Sequence, residues 1–147
     1  MLEKTFGVRL ENKQYRNREG VYAIIFNNDN KVATVKTLNG NFLIGGGIEN
    51  EETHQECLKR ECLEETGFNI DIKEFICKAD TYKYADLLNC YFHPIGYFYF
   101  AELKDKVEEP KETDHQFEWI SIEELKDKMY LEHQRWAINQ TIHLNKV

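Results

Sequence analysis

The sequence predicts an α/β protein in which a mixed β-sheet lies between helices. Three features lead to that expectation. The run Gly20 to Phe26 is short, apolar and rich in β-formers, as a buried strand is. A helical stretch opens at Thr53 and closes at Gly67, with the signals of both ends. The segment Asn89 to Leu103 is crowded with aromatic residues and reads as one long strand or two.

Taken in order, Asn27 to Asn30 forms a turn after the first strand. Its asparagines suggest a calcium loop, but the central glycine and terminal glutamate of such a loop are missing, which excludes it. Lys31 to Thr37 alternates polar residues with Val32, Ala33 and Val35, and is expected as a hairpin partner of the first strand. Asn39 to Asn41 makes a second turn, and Phe42 to Ile44 a short strand feeding a glycine-rich loop. Thr53 is the N-cap of the helix, with Glu56 completing a capping box, and Gly67 stands just past its end. Leu58 and Cys62, four residues apart, pack inward beside a solvent-facing row of carboxylates. Phe68 to Cys77 alternates as a strand. The aromatic segment is expected to break near Pro94, Ile95 and Gly96. Phe117 to Ile120 is a short strand, Ser121 and Glu124 form a second capping box, and Tyr130 to Leu144 has helical spacing.

Composition limits the function classes. The 147 residues are 41% hydrophobic and 13% aromatic, enough for one domain spanning 1–147 that buries roughly two-thirds of its unfolded surface. With a net charge of −7 and no basic stripe, the chain is not expected to track a long nucleic acid. A small anionic ligand bridged by metal suits it better. The opening MLEKTFGVRL does not read as a signal peptide, and Leu87 to Ala101 is too short and polar to span a bilayer. The four cysteines have neither zinc spacing nor the density of a disulfide framework, so reduced thiols and a cytoplasmic protein without membrane contact are expected.

The most specific signal lies between Gly46 and Phe68. Glu61, Glu64 and Glu65 stand at i, i+3 and i+4, which at about 100° per residue places them within roughly a 100° arc. Such a cluster costs a few tenths of a kcal/mol per pair on an exposed helix. In a partly buried cleft it costs roughly 3 kcal/mol per pair, at about 5 Å and a dielectric near 20. A bound cation removes that conflict, and hard oxygen donors favour Mg²⁺, with Mn²⁺ as an alternative, over zinc.

The order is Gly46, five residues, Glu52, seven residues, Arg60-Glu61, Cys62, Leu63, Glu64-Glu65, Thr66, Gly67, Phe68. This resembles the box of the Nudix family, G-x5-E-x7-R-E-U-x-E-E-x-G-U, where U is a bulky apolar residue. Cys62 at a U position is the one soft departure. The segment from Glu118, E-W-I-S-x-E-E-L, also looks like MutT-like members. The resemblance implies the Nudix fold, an α/β/α sandwich with a mixed sheet. It also implies hydrolysis, with a divalent metal, of the diphosphate linkage in a nucleoside diphosphate derivative: a nucleoside triphosphate, a dinucleoside polyphosphate or a nucleotide sugar. Glu61, Glu64 and Glu65 match the family's metal ligands, with the carbonyl near Gly46 as a further ligand. Glu52 and Arg60 match the pair that braces the loop against the helix, and a direct metal role for Glu52 stays open. Glu61 and Glu64 are alternatives for the catalytic base, and a carboxylate from the later loop is the first choice: Glu112, then Asp114. His115 reads as an ordinary hydrogen-bonding histidine. Tyr82 and Tyr84, beyond the box, and Arg18 are candidates for binding the substrate. Two other readings are a nucleotide-binding regulatory module without catalysis, which normally loses box carboxylates, and an isomerase of isoprenoid diphosphates, for which the cysteines offer no match. A homodimer is compatible with all of them.

Overall fold

Val21, Ala23 and Ile25 pack into one apolar cluster, while Tyr22, Ile24 and Phe26 pack into another. This is the period-two alternation of a strand covered on both faces. The protein, seen in a computed structural model that describes residues 2–112, 114–144 and 146, builds its layers around that strand. The strands are β1 (Glu3–Phe6), β2 (Arg16–Ile24), β3 (Val32–Thr37), β4 (Gly40–Gly47), β5 (Phe68–Thr81), β6 (Lys83–Ala85), β7 (Cys90–Lys106) and β8 (Gln116–Ile120). The helices are α1 (His54–Thr66), α2 (Leu125–Lys128) and α3 (Glu132–His143).

The sheet runs β1-β5-β7-β2-β4-β3-β8, with β6 on the end of β7. The pairs β1/β5 and β2/β7 are parallel and the others antiparallel, so the sheet is mixed. Helix α1 covers one face through Cys57, Leu58 and Cys62. Helix α3 covers the other through Ala137 and Ile138. Full burial of side chains such as Leu58 and Ile138 stabilises by roughly 1.5–3 kcal/mol each. The fold is the expected α/β/α sandwich. No helix among the described residues is long and apolar enough to cross a membrane, and all four cysteines are free.

Several expectations need correction. Strands β2 and β3 meet only at the bridge Phe26–Val32, after which β4 inserts between them. The true hairpin is β3 with β4, and β4 can sit centrally because both its edges find partners. Gly45, Gly46 and Gly47 lie within β4 against Tyr22, Val21 and Gly20, so the glycine-rich segment is strand, not loop. Strand β7 runs unbroken through Pro94. It can do so because Pro94 falls in the gap between β5, whose pairing ends at Asp80–Ile95, and β6, whose pairing begins at Lys83–Phe92. Strand β1 has no counterpart in the sequence reading; it is four mostly exposed residues beside the end of β5.

Candidate active site

Helix α1 presents its acids because both ends are held. Thr53 accepts a hydrogen bond from the Glu56 amide, and the Glu56 carboxylate accepts one from the Thr53 amide. At the far end Gly67 adopts φ 78° and donates its N–H to the Leu63 carbonyl. The chain leaving β7 then docks on this end: Val107 N–H bonds to the Gly67 carbonyl at 2.9 Å, and Lys111 N–H to the Glu64 carbonyl at 2.8 Å. Two carbonyls at the end of α1 are thereby satisfied by the segment that carries Glu112.

The acids meet there. Oxygens of Glu61, Glu64 and Glu112 lie within 4.8 Å of one another, and so do ligand atoms of Glu65, Glu112 and His115. This donor set fits a divalent cation: it is mostly carboxylate, compact and under-neutralised. Exposure differs sharply along the row. The Glu64 side chain is 34% exposed, that of Glu61 12%, and Glu65 is only 4% exposed, so the carboxylate face is not uniformly turned to solvent as expected. Glu65 accepts a hydrogen bond from Gly45 N–H at 2.9 Å and lies 3.1 Å from Nδ1 of His115. Burial pushes its carboxyl up to about 9, opposed by the Gly45 hydrogen bond and reinforced by the charge of Glu61. Burial also raises Glu61, against the pull of Arg60.

Arg60 ties the row to the preceding loop. Its Nε and Nη2 reach Glu52 at 2.6 and 2.9 Å, Nη1 reaches Glu61 at 2.8 Å, and Nη2 also donates to the Gly47 carbonyl at 3.0 Å. The two-pronged bond to Arg60 holds the Glu52 carboxyl down at about 2, and Arg60 itself is raised by it. Gly46 is needed for space: a Cβ there would stand 2.5 Å from the Glu61 carboxyl carbon. Its carbonyl lies 3.5 Å from Sγ of Cys57, on the packing side of α1.

Two cavities open from this cluster. The inner one, about 510 Å³, is lined by Tyr22, Phe42, Leu43 and Leu131 together with Glu61, Glu65, Glu112 and His115. The outer one, about 590 Å³, continues past Glu61 along Asn17, Glu19 and Ile95. Arg18 borders both. Tyr82 and Tyr84 line neither of these two cavities. Tyr84 pairs with Tyr91, six residues along β7 from Tyr97, the partner of Val21. That is roughly 20 Å at 3.3 Å per residue. Tyr82 stacks on His93 at 4.0 Å instead. Distance along the chain beyond the box did not reveal that β5 runs away from the carboxylates.

His115 is the hydrogen-bonding histidine expected, but its partners are acids of the site, and Gln134 escaped the sequence reading altogether. His115 sits between acids, its Nδ1 2.6 Å from Glu112 and 3.1 Å from Glu65. Gln134, on α3, is fully buried beside the inner cavity; its Oε1 accepts from Leu43 N–H, and its Nε2 has no partner among the described residues. A polar residue on the apolar face of the last helix was the available signal.

A family model, the NUDIX domain, matches residues 16–140. No curated protein matches the sequence. Among solved structures, a NUDIX hydrolase from Nitrosomonas europaea is 18% identical, covers 89% of this chain and 91% of its own, and superposes with a TM-score of 0.72. A MutT protein from Methanosarcina mazei Go1 is 20% identical over 95% of this chain and 100% of that one, with a TM-score of 0.67. An ADP-ribose pyrophosphatase from Streptococcus suis 89-1591 is 15% identical over 88% and 92%, with a TM-score of 0.65. At such identities the likeness establishes the shared fold, while the family model covers most of the chain and includes the whole box. The chain belongs to the Nudix family, whose domain model spans residues 16–140.

Proposed function

We propose that the protein is a cytoplasmic, single-domain Nudix hydrolase over residues 1–147 that requires Mg²⁺, with Mn²⁺ as a substitute, and cleaves the diphosphate of a nucleoside diphosphate derivative. One observation carries the reading: Glu112 joins the acids of α1 on the wall of a cavity of base size that Arg18, Tyr22 and Phe42 also line. Solved relatives by name act on UDP-X and ADP-ribose, which is the same linkage.

Glu61, Glu64 and Glu65 would hold the cation, with the Gly46 carbonyl as a further ligand, and when bound it neutralises the diphosphate and makes water more acidic. The inner cavity takes the base against Phe42 and Tyr22, and the donor of Gln134 meets an acceptor on the base edge. Arg18 binds a phosphate oxygen where the two cavities join. Glu112 receives the proton of the attacking water, and His115 holds its carboxylate in place. Arg60 and Glu52 keep Glu61 and the loop in register. The isomerase reading gains nothing from the structure, since Cys57, Cys62 and Cys77 are buried as packing groups. The test is a panel of nucleoside triphosphates, dinucleoside polyphosphates and nucleotide sugars assayed with Mg²⁺ for released phosphate products. Hydrolysis of at least one class is expected, and its loss in EDTA. Binding without turnover across the whole panel would favour the regulatory module.

A further inference from the structure

The outer cavity has no role in the reading above, and its walls say what it can hold. It shares Arg18 and Glu61 with the inner cavity, so the two meet where the reacting phosphates lie. A substrate with its base inside and its diphosphate along Glu61 delivers the group on its far phosphate into the outer space. Beyond the shared residues, that space is lined by Asn17, Glu19, Ile48, Glu49 and Ile95, among others. It thus offers two further carboxylates and an amide but no further cation. Glu19 is fixed by the Tyr97 hydroxyl at 2.8 Å. A terminal phosphate placed here adds charge of the same sign as its walls. Hydroxyl groups, in contrast, donate to carboxylates and pair with an amide.

Asn17 is also built into place. Its Oδ1 lies 2.8 Å from Nδ1 of His93, whose Nε2 lies 2.6 Å from Asp80. Asp80 in turn accepts from the Thr5 hydroxyl at 2.7 Å, and the Tyr82 ring stacks parallel on His93. His93 is only 9% exposed, so this chain of contacts anchors one edge of the Asn17 amide and leaves the other for a ligand.

We propose that the outer cavity binds a neutral, hydroxyl-bearing group of sugar type, so the preferred substrate is a diphosphate diester of the nucleotide-sugar kind and not a nucleoside triphosphate. This rests on the proposed function and narrows it. Water adds its oxygen to one phosphorus, the bond between that same phosphorus and the bridging oxygen breaks, and the bridging oxygen departs on the second phosphate. The products are a nucleoside monophosphate and a sugar phosphate, with the proton from water released through the base.

The experiment compares UDP-glucose with UTP and ADP-ribose with ATP under Mg²⁺, so that the base is constant within each pair. At least one sugar compound should exceed its triphosphate by tenfold or more in kcat/KM. The double variant Glu19→Gln, Glu49→Gln should shift that ratio at least fivefold toward the triphosphate. Asn17→Ala should raise KM for the sugar compound severalfold at unchanged kcat, with the triphosphate unaffected. Hydrolysis that favours triphosphates, or is equal for both classes, overturns the inference and leaves the proposed function standing. If the wild type hydrolyses none of the four, the panel above, which includes dinucleoside polyphosphates, decides the proposed function separately. Calorimetric titration with α,β-methylene analogues of ADP-ribose and ATP then decides the cavity's role: tighter binding of the sugar analogue supports it, and equal or weaker binding overturns it.

Discussion

Glu65 is a buried carboxyl group among other acids, and its behaviour without metal follows from that position. Burial first, then the neighbouring charges of Glu61 and Glu112, hold its carboxyl at about 9, well above the ordinary 4.5, although the Gly45 hydrogen bond pulls the other way. The folded protein keeps a proton that the unfolded chain releases, so stability falls as pH rises from about 4.5 to about 9. At about 1.4 kcal/mol per unit, the loss by pH 7 is on the order of 3 kcal/mol. Glu65→Gln keeps an acceptor for Gly45 N–H and removes the charge, so melting in EDTA should become flatter with pH and higher at pH 8. Its turnover should nevertheless fall by two orders of magnitude or more. Glu64→Gln removes a more exposed charge; its metal-free melting temperature should hold while activity drops equally far, and near-normal turnover would refute the ligand role. Glu112→Gln is expected to lower kcat by roughly 10²–10⁴ with little change in KM, and to remove the acidic limb of the pH–rate profile. Should Glu112→Gln keep full kcat while Asp114→Asn loses it, the base lies two residues on. If both stay active, an acid of α1 takes the proton.

Helix α1 and the segment from Val107 to Glu112 form one working element, joined at Gly67. Glycine adopts the αL conformation there at little cost where other residues are strained, and a Cβ would collide with the Glu108 carbonyl. Gly67→Ala should therefore destabilise by roughly 1–3 kcal/mol and shift the segment that carries Glu112. A thermal melt and kcat should decline together; loss of stability at full kcat would show that the segment does not depend on this joint. Arg60→Ala frees Glu52, Glu61 and the Gly47 carbonyl at once, and metal affinity and activity should fall by roughly 10–100-fold. A double-mutant cycle with Glu52→Gln should show strong coupling, and simple additivity would argue against the pair.

Across the whole molecule, the acids form a site whose repulsion is relieved by a cation that binds only the folded state. Mg²⁺ at 100 times its Kd should stabilise by about 2.7 kcal/mol, raising the melting temperature reversibly with EDTA. Glu64→Gln and Glu65→Gln should lose most of that shift, and an unchanged shift in both would place the metal elsewhere. What could be read beforehand and what could not divides along the same line of range. The capped helix and its row of carboxylates are legible in the sequence because they depend on spacings within one helix, where i, i+3 and i+4 already specify a face, and the brace of Glu52 by Arg60 is what the resemblance of the box implies. The continuous apolar run of β2 likewise announces a strand in a sheet covered on both sides. Sheet order is not local: β4 displaces β3 from β2, and Tyr84, on β6, pairs with Tyr91 near the start of β7, through pairings between distant strands. The site is completed the same way. His115 meets Glu65 from 50 residues along the chain, and Gln134 reaches Leu43 across 91, contacts that the packing of β7, its following segment and α3 creates. By itself the sequence determined the chemistry that α1 can support; only the tertiary structure decided which remote side chains share it, because contact between distant segments depends on how the layers close.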